Sequence, residues 1–186
     1  MVVFLLATLF FTSLWPKVSA QEELPSQINE AQKAVAIVKT YNDKGKVLKV
    51  GSGFFLNQSG DLLTDRRLLV GASSVEVSMA DGTTYPVNTV KADDIYSDLI
   101  LMTVEAPTET IFLPITDGRL EYGKEVYVIG GAFALKDTYF KGRIKSVTNL
   151  PFFGEVGEFD LLLSSLWNGG PVVNTQGTGR CSSLSI

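Results

Sequence analysis

The residues best placed to do chemistry lie near the C-terminus, in Leu166-Trp167-Asn168-Gly169-Gly170-Pro171. Two adjacent glycines before a proline, with Val172-Val173-Asn174 after them, read as a tight loop feeding a strand. Glycine serves where φ must be positive or where something must approach the backbone closely. The loop would present Asn168, a neutral amide without a usable nucleophilic oxygen. Trp167 reads as a loop anchor. Ser164 and Ser165 stand nearby, but no serine–lysine spacing accompanies them. The chain contains no histidine, so the usual base for a hydroxyl nucleophile is missing. One cysteine, Cys181, excludes an internal disulfide and a multi-cysteine metal site. Zinc would have to rely on that thiolate and carboxylates, an unusual set. Neither a metal nor a cofactor is expected.

The elements that must position this loop are strands. Ala34 to Tyr41 is rich in β-branched residues, Asn42 to Lys46 is a turn, and Val47 to Leu56 is the next strand. Gln58-Ser59-Gly60-Asp61 is a second turn, and Leu62-Leu63-Thr64 begins a short strand ending at Asp65-Arg66-Arg67. Ser74 to Met79 alternates, Asp81-Gly82 is a hairpin signal, and Thr84 to Lys91 returns. Further strands are expected over Asp98 to Val104, Glu125 to Gly130, Thr138 to Val147, Phe159 to Leu163 and Pro171 to Asn174. No stretch keeps an apolar period of 3.6 residues, although Gln21 to Lys33 reads as a linker or short helix. Many short strands at even spacing predict an all-β barrel or sandwich. Pro107 to Thr110 is the expected boundary, giving a first barrel over 34–106 and a second over 107–186, after a 21–33 linker.

Five blocks, in order, resemble the trypsin-like serine peptidase domain of the HtrA/Deg type. Gly51-Ser52-Gly53-Phe54-Phe55 is similar to that family's Gly-Ser-Gly-Phe strand. Gly60-Asp61-Leu62-Leu63-Thr64-Asp65-Arg66-Arg67 is similar to Gly-Tyr-Ile-Leu-Thr-Asn-Asn-His, which puts Arg67 at the histidine position. Ser97-Asp98-Leu99-Ile100-Leu101-Met102 is similar to Thr-Asp-Leu-Ala-Leu-Leu, which puts Asp98 at the aspartate position. Leu113 to Phe133 resembles the opening of the second barrel. The Asn168 loop resembles Gly-Asn-Ser-Gly-Gly-Pro, with Asn168 where the nucleophile would stand and Leu166 at the glycine that helps form the oxyanion hole.

The resemblance implies a double β-barrel with a degenerate triad. Guanidinium stays protonated and has no acceptor, so Arg67 cannot act as base. Positive φ is costly at Leu166. Only Asp98 is retained. The expectation is that Arg67 pairs with Asp98, with Arg66 as the fallback. After Gly177 the family continues into further strands, whereas this chain ends at Ile186, so the second barrel is expected to be incomplete, with no PDZ module after it.

Charge and targeting bound the partners. The formal net charge is −4, and −5 once the first 20 residues, whose one charge is Lys17, are set aside. An acidic chain without a basic run argues against nucleic acid. Val2 to Trp15 is apolar and uncharged, too short for a comfortable membrane span, and Val18-Ser19-Ala20 offers a cleavage site. A signal peptide over 1–20, a secreted or periplasmic location and no span after cleavage are expected. Asn57-Gln58-Ser59 fits a glycosylation sequon that matters only in a eukaryotic secretory pathway. The function expected is an inactive peptidase homologue binding peptide or protein at its former cleft. The alternatives are an atypical active serine endopeptidase and a truncated product without function.

Overall fold

A computed structural model describes residues 25–79, 81–105, 109–130, 139–151, 154–161 and 167–180. The leader, Leu166 and Cys181 lie outside them. The chain opens with helix α1 (Ser26–Lys33), and β1 (Val35–Tyr41), β2 (Val47–Phe55) and β3 (Asp61–Asp65) follow. A 3-10 turn, Arg66–Leu68, leads on to β4 (Ser74–Ser78), β5 (Thr84–Asp94) and β6 (Leu99–Val104). The second half holds β7 (Glu125–Ile129), β8 (Tyr139–Leu150), β9 (Gly154–Phe159), β10 (Val172–Asn174) and β11 (Gly179–Arg180).

The first six strands close into a barrel in the order β1-β2-β3-β6-β5-β4. Closure comes from β1 pairing with both β2 and β4, so no edge is left open. Alternation decides the interior. On β6, Ile100, Met102 and Val104 are buried among Val38, Phe55, Leu62 and Val77, inside the barrel. The intervening Leu99 and Leu101 point outward and pack against a second cluster. That cluster joins the barrel's Val35, Phe54 and Leu63 to Tyr127, Ile129 and Val173 of the second sheet. Ile28 and Ala31 of α1 complete it, so the segment expected to be a linker or short helix is a helix with a buried face.

The second sheet runs β11-β10-β7-β8-β9. Strand alternation splits its two faces. Tyr127, Ile129 and Val173 face the first barrel, and Val126, Val128, Ile144 and Val172 form a third apolar cluster on the other side. The strand expected over Phe159 to Leu163 is displaced: β9 ends at Phe159, and 162–166 lie outside the described residues. The chain is all-β in architecture, a closed barrel packed on a second β-sheet.

Candidate functional site

Three chain segments meet where the barrel faces the second sheet. Strand β3 delivers the first. Its last residue, Asp65, pairs in register with Leu99 at the start of β6. That register brings the next residues alongside Asp98, and the Arg66 N–H donates to the Asp98 carbonyl at 2.8 Å. Asp98 therefore sits in the turn before β6 rather than in the strand. It is the one non-glycine with positive φ among the described residues, at 53°. A left-handed conformation costs an ordinary residue about 1–2 kcal/mol, though aspartate tolerates it better than most.

The third segment is the Asn168 loop. A turn closes from the Gly170 N–H to the Trp167 carbonyl at 3.0 Å, with Gly169 at φ 84° in the position where a type II turn needs positive φ. The loop is clamped to the first barrel by the Ser52 N–H, which donates to the Asn168 carbonyl at 2.8 Å. Glycine is required at 169 for space as well. A Cβ there would lie 2.1 Å from the Ser52 carbonyl oxygen and 2.4 Å from Thr64 Oγ1. Trp167 anchors the loop from the other side, its ring tilted 53° onto Phe140 with centroids 4.7 Å apart.

Arg67 does not pair with Asp98. Its Nη2 meets Asp65 Oδ2 at 2.6 Å, and its Nε lies 3.0 and 3.1 Å from the two Asp65 oxygens. Asp65 is buried at 2% exposure, so the guanidinium satisfies a carboxylate that solvent cannot reach. The same carboxylate accepts the Arg67 N–H at 2.7 Å and so caps the 3-10 turn. The hydrogen bonds that the guanidinium donates to Asp65 are the main cause that raises the Arg67 pKa above its ordinary value; Asp98 adds a smaller push through space. The fallback fails as well, since Arg66 Nε bonds Asp93 Oδ1 at 2.6 Å. Lys49 Nζ donates to the Arg67 carbonyl.

The site thus contains cations held by carboxylates and an amide at the loop tip. The Asn168 Oδ1 is buried and has no hydrogen-bond partner among the described residues. The Thr64 hydroxyl, which would lie 2.4 Å from a Cβ at Gly169, donates to the Ser52 carbonyl at 2.6 Å. No cluster of three His, Cys, Asp or Glu able to hold a metal occurs among the described residues. Asp65 is the residue that sequence reasoning missed. The available signal was an aspartate at the end of a strand just before a short turn, the N-cap pattern.

Comparison with known proteins points the same way as the architecture. Residues 51–179 match the model of the trypsin-like peptidase domain. Over 145 residues, 77% of this chain, it is 30% identical to the anti-sigma-I factor RsgI9 of Acetivibrio thermocellus, of which 20% is covered. It is 30% identical over 139 residues to the chloroplastic Protease Do-like 1 of Arabidopsis thaliana, 69% of this chain and 31% of that one. The serine endoprotease DegS of Haemophilus influenzae is 23% identical over 141 residues, 73% of this chain and 41% of that one. The chain therefore spans well under half the length of these relatives.

Proposed function

The chain belongs to the trypsin-like peptidase domain family, and from that premise we propose that it is a catalytically silent, HtrA/Deg-like member that binds polypeptide in the cleft where its relatives' chemistry would occur. The observation that carries this reading is the fate of Arg67. It stands where the base would be, and its guanidinium is committed to the buried Asp65 carboxylate. A guanidinium has no lone pair to accept a proton. Asn168, at the nucleophile position, has no hydroxyl to activate. Proton transfer and nucleophilic attack therefore both lack an agent.

What remains is the binding surface. The clamp between Asn168 and Ser52 and the anchoring of Trp167 on Phe140 keep the loop docked between barrel and sheet. A loop held in place beside the barrel strands suits an extended peptide. That a relative of this chain bears the name of an anti-sigma factor rather than a protease supports use of the domain outside proteolysis. The apolar run from Val2 to Trp15 before Val18-Ser19-Ala20 supports export of the mature domain to the periplasm or the medium.

The test is binding without cleavage. Fluorescently labelled casein peptides are titrated into the purified chain, and the mixture is then analysed by mass spectrometry. Saturable anisotropy with intact peptides is expected. Peptide fragments with new termini would replace this reading by the atypical active endopeptidase.

A further inference from the structure

Asn168 and Gly169 form the one Asn-Gly pair in the chain. That dipeptide has a reaction of its own. The Gly169 amide nitrogen can attack Cγ of Asn168, because glycine brings no side chain to obstruct it. The new C–N bond closes a succinimide ring, and the side-chain amide leaves as ammonia with the proton of the attacking N–H. Water then opens the ring at one of its two carbonyls. One opening leaves aspartate. The other leaves isoaspartate, in which the main chain runs through Cβ and Cγ.

The folded loop holds the reactants apart. The Gly170 N–H closes the turn on the Trp167 carbonyl at 3.0 Å, with Gly169 at φ 84°. Since Asp98 is the one described non-glycine with positive φ, Asn168 keeps a negative one. Those signs define a type II turn with Asn168 at its first central position, where ψ is about +120°. At that ψ the Gly169 nitrogen is rotated away from the Asn168 side chain, whereas ring closure needs the two on the same side of the Cα–C bond. The rotation is blocked. The Asn168 carbonyl, which would have to swing with it, accepts the Ser52 N–H at 2.8 Å. Gly169 lies so close to the barrel that a Cβ would stand 2.1 Å from the Ser52 carbonyl oxygen. Trp167, on the other flank, is seated on Phe140. The ring can close only after the loop lifts from the barrel.

We propose that Asn168 is a deamidation site gated by the docking of its loop, and that the reaction keeps the loop from docking again. Both products oppose re-docking. Asn168 Oδ1 is buried, so aspartate would put a carboxylate oxygen where solvent does not reach it. Asp65, whose backbone nitrogen would lie 2.8 Å from a Cβ at Gly169, is buried as well and already holds Arg67 Nη2 at 2.6 Å. Isoaspartate lengthens the main chain between Trp167 and Gly170 by a further carbon atom, so their hydrogen bond no longer closes a β-turn. The consequence for binding, that the modified chain loses its cleft, rests on the function proposed above; the modification itself does not.

The whole purified chain is incubated at mildly alkaline pH, folded or unfolded in urea, and the fragment holding Asn168 is followed by mass spectrometry and an isoaspartate assay. Expected is conversion in urea and conversion at least about tenfold slower in the folded chain, each tenfold standing for about 1.4 kcal/mol of loop opening. Phe140→Ala loosens Trp167 without changing the reacting sequence, and Phe140 is 44% exposed, so the sheet tolerates the truncation. It should speed conversion in the folded chain. Asn168→Asp should lower Tm. Equal rates in the folded and unfolded chain, or no acceleration in a folded Phe140→Ala, would overturn the gate. No conversion in urea would overturn the site, and an unchanged Tm for Asn168→Asp would overturn the release. Peptide anisotropy is read separately: conversion should abolish binding, and a fresh chain that binds no peptide would refute the cleft reading while the other readouts still decide the deamidation.

Discussion

The guanidinium of Arg67 folds back onto Asp65, which precedes it by two residues, and makes its ion pair there at 2.6 Å. Asp98, across the β3–β6 register, offers Arg66 its backbone carbonyl instead. The cation and the buried carboxylate are thus a local unit at the end of β3. Stability should depend on them unequally. Arg67→Ala strands the Asp65 carboxylate and should cost about 2–3 kcal/mol, below the 3–5 of a fully buried pair because the guanidinium is 39% exposed. Asp98→Asn should stay within about 0.5 kcal/mol, since Asp98 has no ion pair among the described residues. Urea denaturation of both variants measures this. Equal losses would restore Asp98 as the partner.

The order of the strands was legible because alternation of apolar residues and Gly-rich turns punctuate the chain at even intervals. What the five ordered blocks made legible is the adjacency of three segments, the end of β3, the turn of Asp98 and the Asn168 loop, tied by the Arg66 N–H to the Asp98 carbonyl and by Gly169 against Asp65. The side chain that Arg67 chooses was not. It depends on the 3-10 turn, which brings residues 65 and 67 to the same side, a closeness that neither strand nor α-helix spacing suggests. The buried face of α1 was equally hidden, because Ile28 and Ala31 are only two apolar residues in a polar stretch.

Gly169→Ala should destabilise far more than Gly82→Ala, although both glycines have positive φ, 84° and 86°. At Gly82 a Cβ meets nothing within 4 Å, so the cost is the left-handed strain of about 1–2 kcal/mol. At Gly169 the Cβ would collide with the Ser52 carbonyl, and the loop must lift off the barrel. Thermal unfolding of the two variants should show the larger drop in Tm for Gly169→Ala; similar drops would mean that the loop is not clamped to Ser52.

Acid should weaken the first barrel through Asp61. Its carboxyl is held below the usual range, first by the hydrogen bond from Lys91 and then by Asn57. A depressed folded pKa means that the contribution is present above the unfolded value of about 3.9 and is lost as pH falls through the folded value. Asp61→Asn should therefore lower stability at neutral pH and flatten its fall below about pH 4. Urea midpoints across that range report the slope, and an unchanged slope would remove Asp61 from the acid response.

Single reversions should not revive the enzyme. Members of a catalytic triad act as a unit, and one loss already removes most of the rate. Arg67→His lacks a serine to activate, and Asn168→Ser lacks a base. Each should stay at background against casein, with circular dichroism confirming a folded β protein. Activity from either one alone would mean that a second, unrecognised group completes the machinery.

The central claim is that the unmodified cleft holds no activated nucleophile, and a fluorophosphonate probe reads that directly. Such a probe labels a hydroxyl only when a base has made it nucleophilic. The chain is incubated with the probe in its native state, resolved on a gel and mapped by mass spectrometry. A folded protein with no labelled serine or threonine is the result predicted. Labelling of any serine that a competing peptide substrate suppresses would contradict the account and return the chain to the active peptidases.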